Sequence, residues 1–201
     1  MPTKLAIIGA GGHAKVVLDT LIEQDQAEVL LYDSSQELDG SQLLDCRINL
    51  LGNLLLEDYF HIAIGSNHVR LKFYEKFKND STFLKIESTS AIVSHFANIG
   101  VGVYIAAGSV IGCETEIGLG SIINHGAVVD HDCKIGRFCH IAPNATLLGN
   151  VEIGEQVFIG AGSIVLPGVF IASHTIIGAG AVVTSDVLEA GTIVGVPGRR
   201  V

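Results

Sequence analysis

The chain has 201 residues, is 48% hydrophobic and 16% charged, and carries 24 glycines, no tryptophan and a formal net charge of −9. That length holds one or two domains with a real core, and the acidic balance argues against nucleic acid or an anionic membrane as a main partner. The four cysteines (Cys46, Cys113, Cys133, Cys139) form no CxxC pair and no disulfide framework, which predicts reduced thiols.

The opening MPTKLAIIGAGG reads as a short apolar strand, Lys4 to Ile8, running into a glycine turn. It is too short for a signal-peptide core or a membrane span, so a cytoplasmic protein with no membrane insertion is expected. After GAGGHA (Gly9–Ala14), Val16, Val17, Thr20 and Leu21 fall at helical spacing, predicting a helix over Lys15–Glu23. A second strand, Glu28–Tyr32, ends at Asp33. This strand–turn–helix–strand unit matches G-x-G-x-x-A with an acidic residue about twenty places on, a dinucleotide-fold pattern. Glycines let backbone approach a phosphate, and a helix N-terminus favours an anion. A lone match specifies a phosphate-friendly crevice better than a ligand.

Gln36–Leu56 is less regular, a loop with a short strand. Tyr59–Ile64 reads as a strand, then Gly65-Ser66-Asn67, with Asn67 as the expected cap of a helix over His68–Lys78. TFLKI (Thr82–Ile86) is a further strand, and Glu87–Ile92 a linker. Residues 1–86 thus read as a small parallel α/β domain. The Gly turn, Asp33-Ser34 and Gly65-Ser66 lie at the carboxyl ends of its strands, where such sheets bind ligands.

From Val93 to Val183 an aliphatic residue falls on every sixth position without a gap: Val93, Ile99, Ile105 and so on through Ile177 and Val183. Four places after each comes a small or β-branched residue, such as Ser109, Thr115, Ala127, Cys133 and Cys139. This is a hexapeptide repeat, a signature of a parallel β-helix. Three hexads close one triangular coil of eighteen residues, and glycines are expected where corners need backbone freedom. Each coil adds about 4.8 Å, so five coils stand about 24 Å tall. After Val183, Ser185-Asp186 and Glu189-Ala190-Gly191 read as turns, Thr192–Val196 as a last strand, and VGVPGRRV follows. The column from 93 to 183 has two cations, Lys134 and Arg137, so a polyanion lying along it needs positive charge from elsewhere, and Arg199 and Arg200 stand out.

Residues eighteen apart stack, placing His95, Cys113, His131 and Gly149 in one file. His131 is followed by Asp132. An imidazole takes a proton near neutral pH, and a carboxylate bonded to its ring raises its basicity and fixes its tautomer. His131 is therefore the expected general base. His95 and His125 read as surface or interface residues, and His61 and His174 as structural. The rival use of column histidines is a shared metal site, as in the gamma-class carbonic anhydrases, with His125, His131 and His140 as imidazoles. Their spacings put them on different faces and no long loop carries a catalytic acid, so no metal is expected.

The unbroken hexads, GAGGHA, YDSS, IAIGSN, N-H-x5-H-D-x-x-I-G-x-x-x-H-I-A-P and terminal VGVPGR together resemble the NeuD/PglD-like sugar acetyltransferases, across nearly the whole chain. The resemblance implies a Rossmann-like nucleotide-sugar-binding domain over 1–86 and a left-handed β-helix over 87–201. It also implies a homotrimer with active sites between subunits, and acetyl-CoA as co-substrate. It implies His131 as proton acceptor with Asp132 beside it, and Asn124 lining the acceptor site. His140, Gly149, Ala161 and Ala179 match acetyl-CoA contacts, with the Gly149 N–H facing the thioester oxygen. Gly11, Gly12 and His13 match the turn around the substrate phosphates, Asp33 and Ser34 the base-side contact, and Gly65 a further substrate contact. The expected reaction is N-acetylation of a UDP-linked 4-amino-4,6-dideoxy sugar, with O-acetylation of a sialic acid as the alternative.

Overall fold

The computed structural model describes residues 3–24, 27–54 and 59–201. The chain separates into two compact units, Met1–Ile86 and Glu87–Val201. Among the described residues no helix is long and apolar enough to cross a membrane.

In the first unit, β1 (Thr3–Ile8), α1 (Gly12–Gln24), β2 (Ala27–Asp33), β3 (Gln42–Leu43), β4 (Cys46–Leu50), β5 (Tyr59–Ile62), α2 (Asn67–Phe77) and β6 (Thr82–Phe83) follow in order. They build a sheet of order β3-β4-β2-β1-β5-β6, parallel except for the β3–β4 hairpin. Leu5, Ala6, Ile7 and Ile8 are all buried, the continuous apolar run of a strand covered on both faces. Met1 and Pro2 of the opening lie outside the described residues.

Several local readings change. Helix α1 begins at Gly12, not Lys15, so Gly12 and His13 belong to its first turn. The irregular stretch contains a 3-10 turn at Gln36–Leu38, the β3–β4 hairpin, and another 3-10 turn at Leu51–Asn53; Leu55 and Leu56 lie outside the described residues. Strand β5 stops at Ile62. The cap position of α2 is Ser66 rather than Asn67, and it makes no side-chain cap bond. The Asn67 side-chain Oδ1 instead accepts from Arg70 Nη2 at 2.9 Å. Arg70 is 1% exposed, so its guanidinium needs internal acceptors; Nη1 also donates to the carbonyls of Ile64 (2.9 Å) and Gly65 (3.1 Å). TFLKI does not form one strand: β6 closes the first sheet, and Ile86–Glu87 is a separate strand.

The second unit is a parallel β-helix of two-residue strands. Its faces recur every eighteen residues: Val110 pairs with Val128 and Val128 with Thr146, Glu116 with Lys134, Ile122 with His140. Face one carries Tyr104–Ile105, Ile122–Ile123, His140–Ile141, Phe158–Ile159 and Ile176–Ile177. Face two carries Ile92–Val93 and its repeats to Val182–Val183, and face three Asn98–Ile99 to Phe170–Ile171. Inward positions are the predicted ones: Ile123, Val129, Ile141, Leu147, Ile159 and Ile171 are fully buried, as are Ser109, Thr115, Cys133 and Cys139. The hydroxyls among them donate to backbone carbonyls, Ser109 to Ala106 O at 2.7 Å and Thr115 to Asp130 O at 2.6 Å, which removes the cost of burying them.

Glu87–Ile92 is not a linker. Ser88 N donates to Ile105 O at 2.9 Å and Ile92 N to Ser109 O at 2.8 Å, so these residues already form the first coil. At the other end Thr192–Val194 adds a rung to face one and pairs antiparallel with Arg199–Arg200, which covers that edge. The last strand is shorter than predicted because the chain turns at Gly195 (φ +92°).

The glycines fall into two classes, of which backbone freedom explains one. Gly108, Gly126, Gly162 and Gly180 have positive φ in the corners. The glycines that follow the repeat aliphatics do not. A Cβ on Gly112 meets His131 N at 2.6 Å, and one on Gly118 meets Gly136 C at 2.6 Å. They are required by the close approach of consecutive coils.

Candidate active site

At the corner between faces two and three, His131 and Asp132 stand side by side. The His131 Nδ1 and Asp132 Oδ2 are 2.7 Å apart. Asp132 has φ +59°, the left-handed conformation that Asp and Asn tolerate better than most residues. The hexad thus puts a carboxylate at a turn position that Gly168 fills two coils on. With Nδ1–H donating to Asp132, Nε2 is the free basic nitrogen. The hydrogen bond to Asp132 and then the charge of Asp130 raise the His131 pKa above its ordinary value. Asp130 fixes the turn as well: its Oδ1 accepts from His131 N at 2.8 Å.

Gly149 lies one coil on, against the imidazole. A Cβ built there would come within 2.6 Å of His131 Nε2 and Cε1. Among the described residues the Gly149 N–H donates to no protein acceptor, whereas Leu148 N reaches Val165 O (3.1 Å) and Asn150 N reaches His131 O (2.9 Å). An unclaimed N–H thus sits beside the free nitrogen of a basic imidazole. Both face an open cleft of about 470 Å³ lined by Asp130, His131, Leu148, Gly149, Asn150, Pro167 and Gly168.

The corner between faces one and two holds a second group. Asn124 is nearly buried, and its Nδ2 lies 3.1 Å from His140 Nε2; with the amide donating, the proton of a neutral His140 is on Nδ1. Phe158 stacks edge-on against His140 at 5.2 Å between centroids. His125, Ala161 and Ala179 fall in one file along this corner and are exposed. His131 is therefore at the corner where face two meets face three, and His140, on face one, bonds to Asn124 at the corner on the other edge of face two. Among the described residues no group of three or more His, Cys, Asp or Glu could hold a metal ion.

In the first unit, Gly11 and Gly12 differ from Gly9. Gly9 has φ +106° and a Cβ there would meet Ile64 Cγ1 at 2.6 Å, so the chain itself requires glycine. Gly11 and Gly12 are exposed, and a Cβ on either meets nothing within 4 Å. No packing of the chain demands glycine there; the open space suits a ligand approaching the backbone. Asp33 clips the turn to β2: Oδ2 accepts from Ala10 N at 2.7 Å and Oδ1 from Ser35 N at 2.9 Å. Ser34 is exposed beside it, and Gly65 gives its carbonyl to Arg70.

Residues 4–77 match the PglD N-terminal domain family, and residues 114–149 and 150–185 match the bacterial transferase hexapeptide family of six repeats. The acetyltransferase domain of PglB from Neisseria gonorrhoeae, solved with acetyl coenzyme A, is 31% identical with a TM-score of 0.94, covering 100% of both chains. PerB from Caulobacter crescentus, solved with CoA and GDP-perosamine, is 34% identical with a TM-score of 0.90, covering 100% of this chain and 98% of its own. The chain belongs to the NeuD/PglD-like acetyltransferase family. WeeI from Acinetobacter baumannii is 26% identical, with a TM-score of 0.91 and coverage of 99% and 100%. No curated protein sequence matches the chain. The fold class of this acyltransferase is thus a short α/β unit followed by a left-handed β-helix.

Two residues at the candidate site are not among those expected from the sequence. Asp130 is one; the motif VVDHDC displays it, but nothing in spacing says that its carboxylate turns back to the His131 N–H. Pro167 is the other, and counting eighteen on from Gly149 finds it.

Proposed function

We propose that the chain transfers the acetyl group of acetyl-CoA to the 4-amino group of a nucleotide-linked 4-amino-4,6-dideoxy sugar, with UDP as the first candidate nucleotide. The observation that carries this reading is His131, bonded to Asp132, lying against the unclaimed Gly149 N–H. The amine nitrogen attacks the thioester carbonyl while His131 Nε2 takes its proton. The Gly149 N–H donates to the oxyanion, where such a donor contributes about 10²–10³ in rate. As the C–S bond breaks, the imidazolium returns the proton to the departing CoA sulfur. PerB's complex with a GDP-linked sugar and CoA supports this class of substrates. Gly11, Gly12 and His13, at the start of α1, suit the diphosphate.

The working assembly in this proposal is a homotrimer. The outward side chains of face two are Ile92, Val110, Val128, Thr146, Ile164 and Val182, without a charge, whereas face three shows Asn98, Glu116, Lys134, Glu152 and Phe170. Three copies packed around face two in a closed ring set the His131 corner of one copy against the Asn124–His140 corner of the next. CoA then lies between copies, along Ala161 and Ala179.

Thiol release from acetyl-CoA, measured across UDP- and GDP-linked amino sugars and sialic acid, tests the acceptor class. Turnover with sialic acid alone overturns N-acetylation. His131→Ala should keep the assembly and lose transfer; near-normal turnover refutes the base. Mixing inactive His131→Ala and His140→Ala copies should restore about a quarter of the sites, the random yield when each site draws on two neighbours. No recovery from verified mixed trimers refutes the shared site.

A further inference from the structure

The second unit is poor in positive charge. Its lysines and arginines are Lys134, Arg137, Arg199 and Arg200. Arg137 is held by Glu155 through Nε (2.8 Å) and Nη2 (3.0 Å), and Arg200 by Glu189 at 2.9 Å and the Ala190 carbonyl at 2.7 Å. Lys134 sits on face three between Glu116 and Glu152. Arg199 differs from all three. It is exposed, and its Nη1 donates to its neighbour's carbonyl, Gly198 O, at 2.9 Å.

The place of Arg199 in the fold gives this meaning. It pairs with Val194, at the end of the rung that extends face one beyond Ile176–Ile177. That is the C-terminal end of the corner along which Ala161 and Ala179 lie exposed. Arg199 also lines a cleft of about 420 Å³, within the usual size of small-molecule sites, with Val183, Val187, Leu188 and Ile193 supplying apolar wall. Two carboxylates share that cleft: Glu189 holds Arg200, while Asp186 Oδ1 accepts from Phe170 N at 2.8 Å and keeps its charge. Among the described residues of that cleft, Arg199 is the guanidinium not paired with a carboxylate, and an anion bound to it must lie on its side away from Asp186.

We propose that Arg199 binds a phosphate of the 3′-phospho-ADP half of the acyl donor, so that the enzyme favours full CoA thioesters over donors that lack this group. The inference rests on the acetyl-CoA reading above and adds a specificity residue to it. The donor is long and polyanionic at one end. With its thioester near His131 and its pantetheine along Ala161 and Ala179, its phosphates reach the last rungs, where guanidinium suits phosphate oxygens through paired N–H donors.

Calorimetric titration of the intact protein with CoA, 3′-dephospho-CoA and pantetheine tests this without an acceptor, so it stands apart from the outcome of the transfer assay. Arg199→Ala should weaken CoA about tenfold or more, as for loss of a charge-assisted hydrogen bond, and leave pantetheine unchanged. Loss for CoA alone assigns the 3′-phosphate; equal loss for CoA and dephospho-CoA assigns the diphosphate. Arg199→Lys should recover part of the affinity, and Arg137→Ala should change nothing. Unchanged CoA affinity in Arg199→Ala, or an equal fall for pantetheine, overturns the proposal. If wild type binds no CoA, the donor reading fails first, and the Arg199 inference with it.

Discussion

Gly149→Ala is the sharpest test of the His131 corner. The new methyl would sit 2.6 Å from His131 Nε2 and Cε1 and 3.2 Å from Nδ1. Non-bonded carbons rest at about 3.5–4.0 Å, so the ring must move by roughly 1 Å. It can do so cheaply, because its side chain is 54% exposed and anchored by one hydrogen bond to Asp132. The φ of Gly149 is not in the positive range, so alanine brings no backbone strain and stability should change by less than about 1 kcal/mol. Catalysis has no such slack. A misplacement of about 1 Å costs on the order of 10²-fold in rate. The expected variant therefore melts like wild type, still binds CoA within a few-fold, and loses about a hundredfold in kcat for thiol release. Normal kcat refutes the base-over-donor geometry. A collapsed melting temperature refutes the claim that the methyl acts on the ring alone.

Asp132→Asn keeps a residue suited to φ +59° but removes the carboxylate that raises the His131 pKa. The neutral base forms as pH rises through that pKa, so the acid limb of the kcat profile should move to lower pH while the plateau falls about tenfold; an unmoved limb refutes the pairing. Val128→Glu puts a charge in the middle of face two and should yield inactive monomers by sedimentation with the β-helix circular dichroism intact; an active trimer refutes the assigned interface. His61 is buried with its pKa lowered to about 4, by desolvation first and by Arg70 against the hydrogen bond to Leu84 O. Between pH 6.5 and 4 the unfolded chain takes this proton and the folded chain does not, so stability falls by about 3 kcal/mol as pH drops through that window, and flattens below it. His61→Gln should remove that slope in urea unfolding; a parallel slope refutes it.

What the sequence shows is set by how locally each feature is encoded. The column is legible because each hexad buries one aliphatic and one small residue, so eighteen-residue stacking follows from counting. That count places His131 beside Gly149. The N-terminal unit is less legible because its helix starts and strand ends depend on contacts distant in sequence. Asn67 looks like a cap, but buried Arg70 recruits its side-chain Oδ1. TFLKI looks like one strand, yet its two ends serve different sheets. The glycines after the aliphatics look like turn residues, and are spacers between coils.

The exposure of the proposed base bears on assembly. In one chain His131 and Asp132 are each more than half exposed, and water would screen both their pairing and any oxyanion bond. Catalysis of the kind proposed needs a drier site. No loop of the column folds over this corner: the strands repeat every six residues without insertion from Ile92 to Val183. In the proposed trimer a neighbouring copy supplies a wall. Of the two faces that meet at this corner, face two is the one that can be buried without stranding a charge, and in the proposed trimer burying it brings up the neighbour's Asn124 and His140. The insertion-free repeat thus lets the column be stacked by a short rule, and under the proposed assembly an enclosed site depends on partner copies.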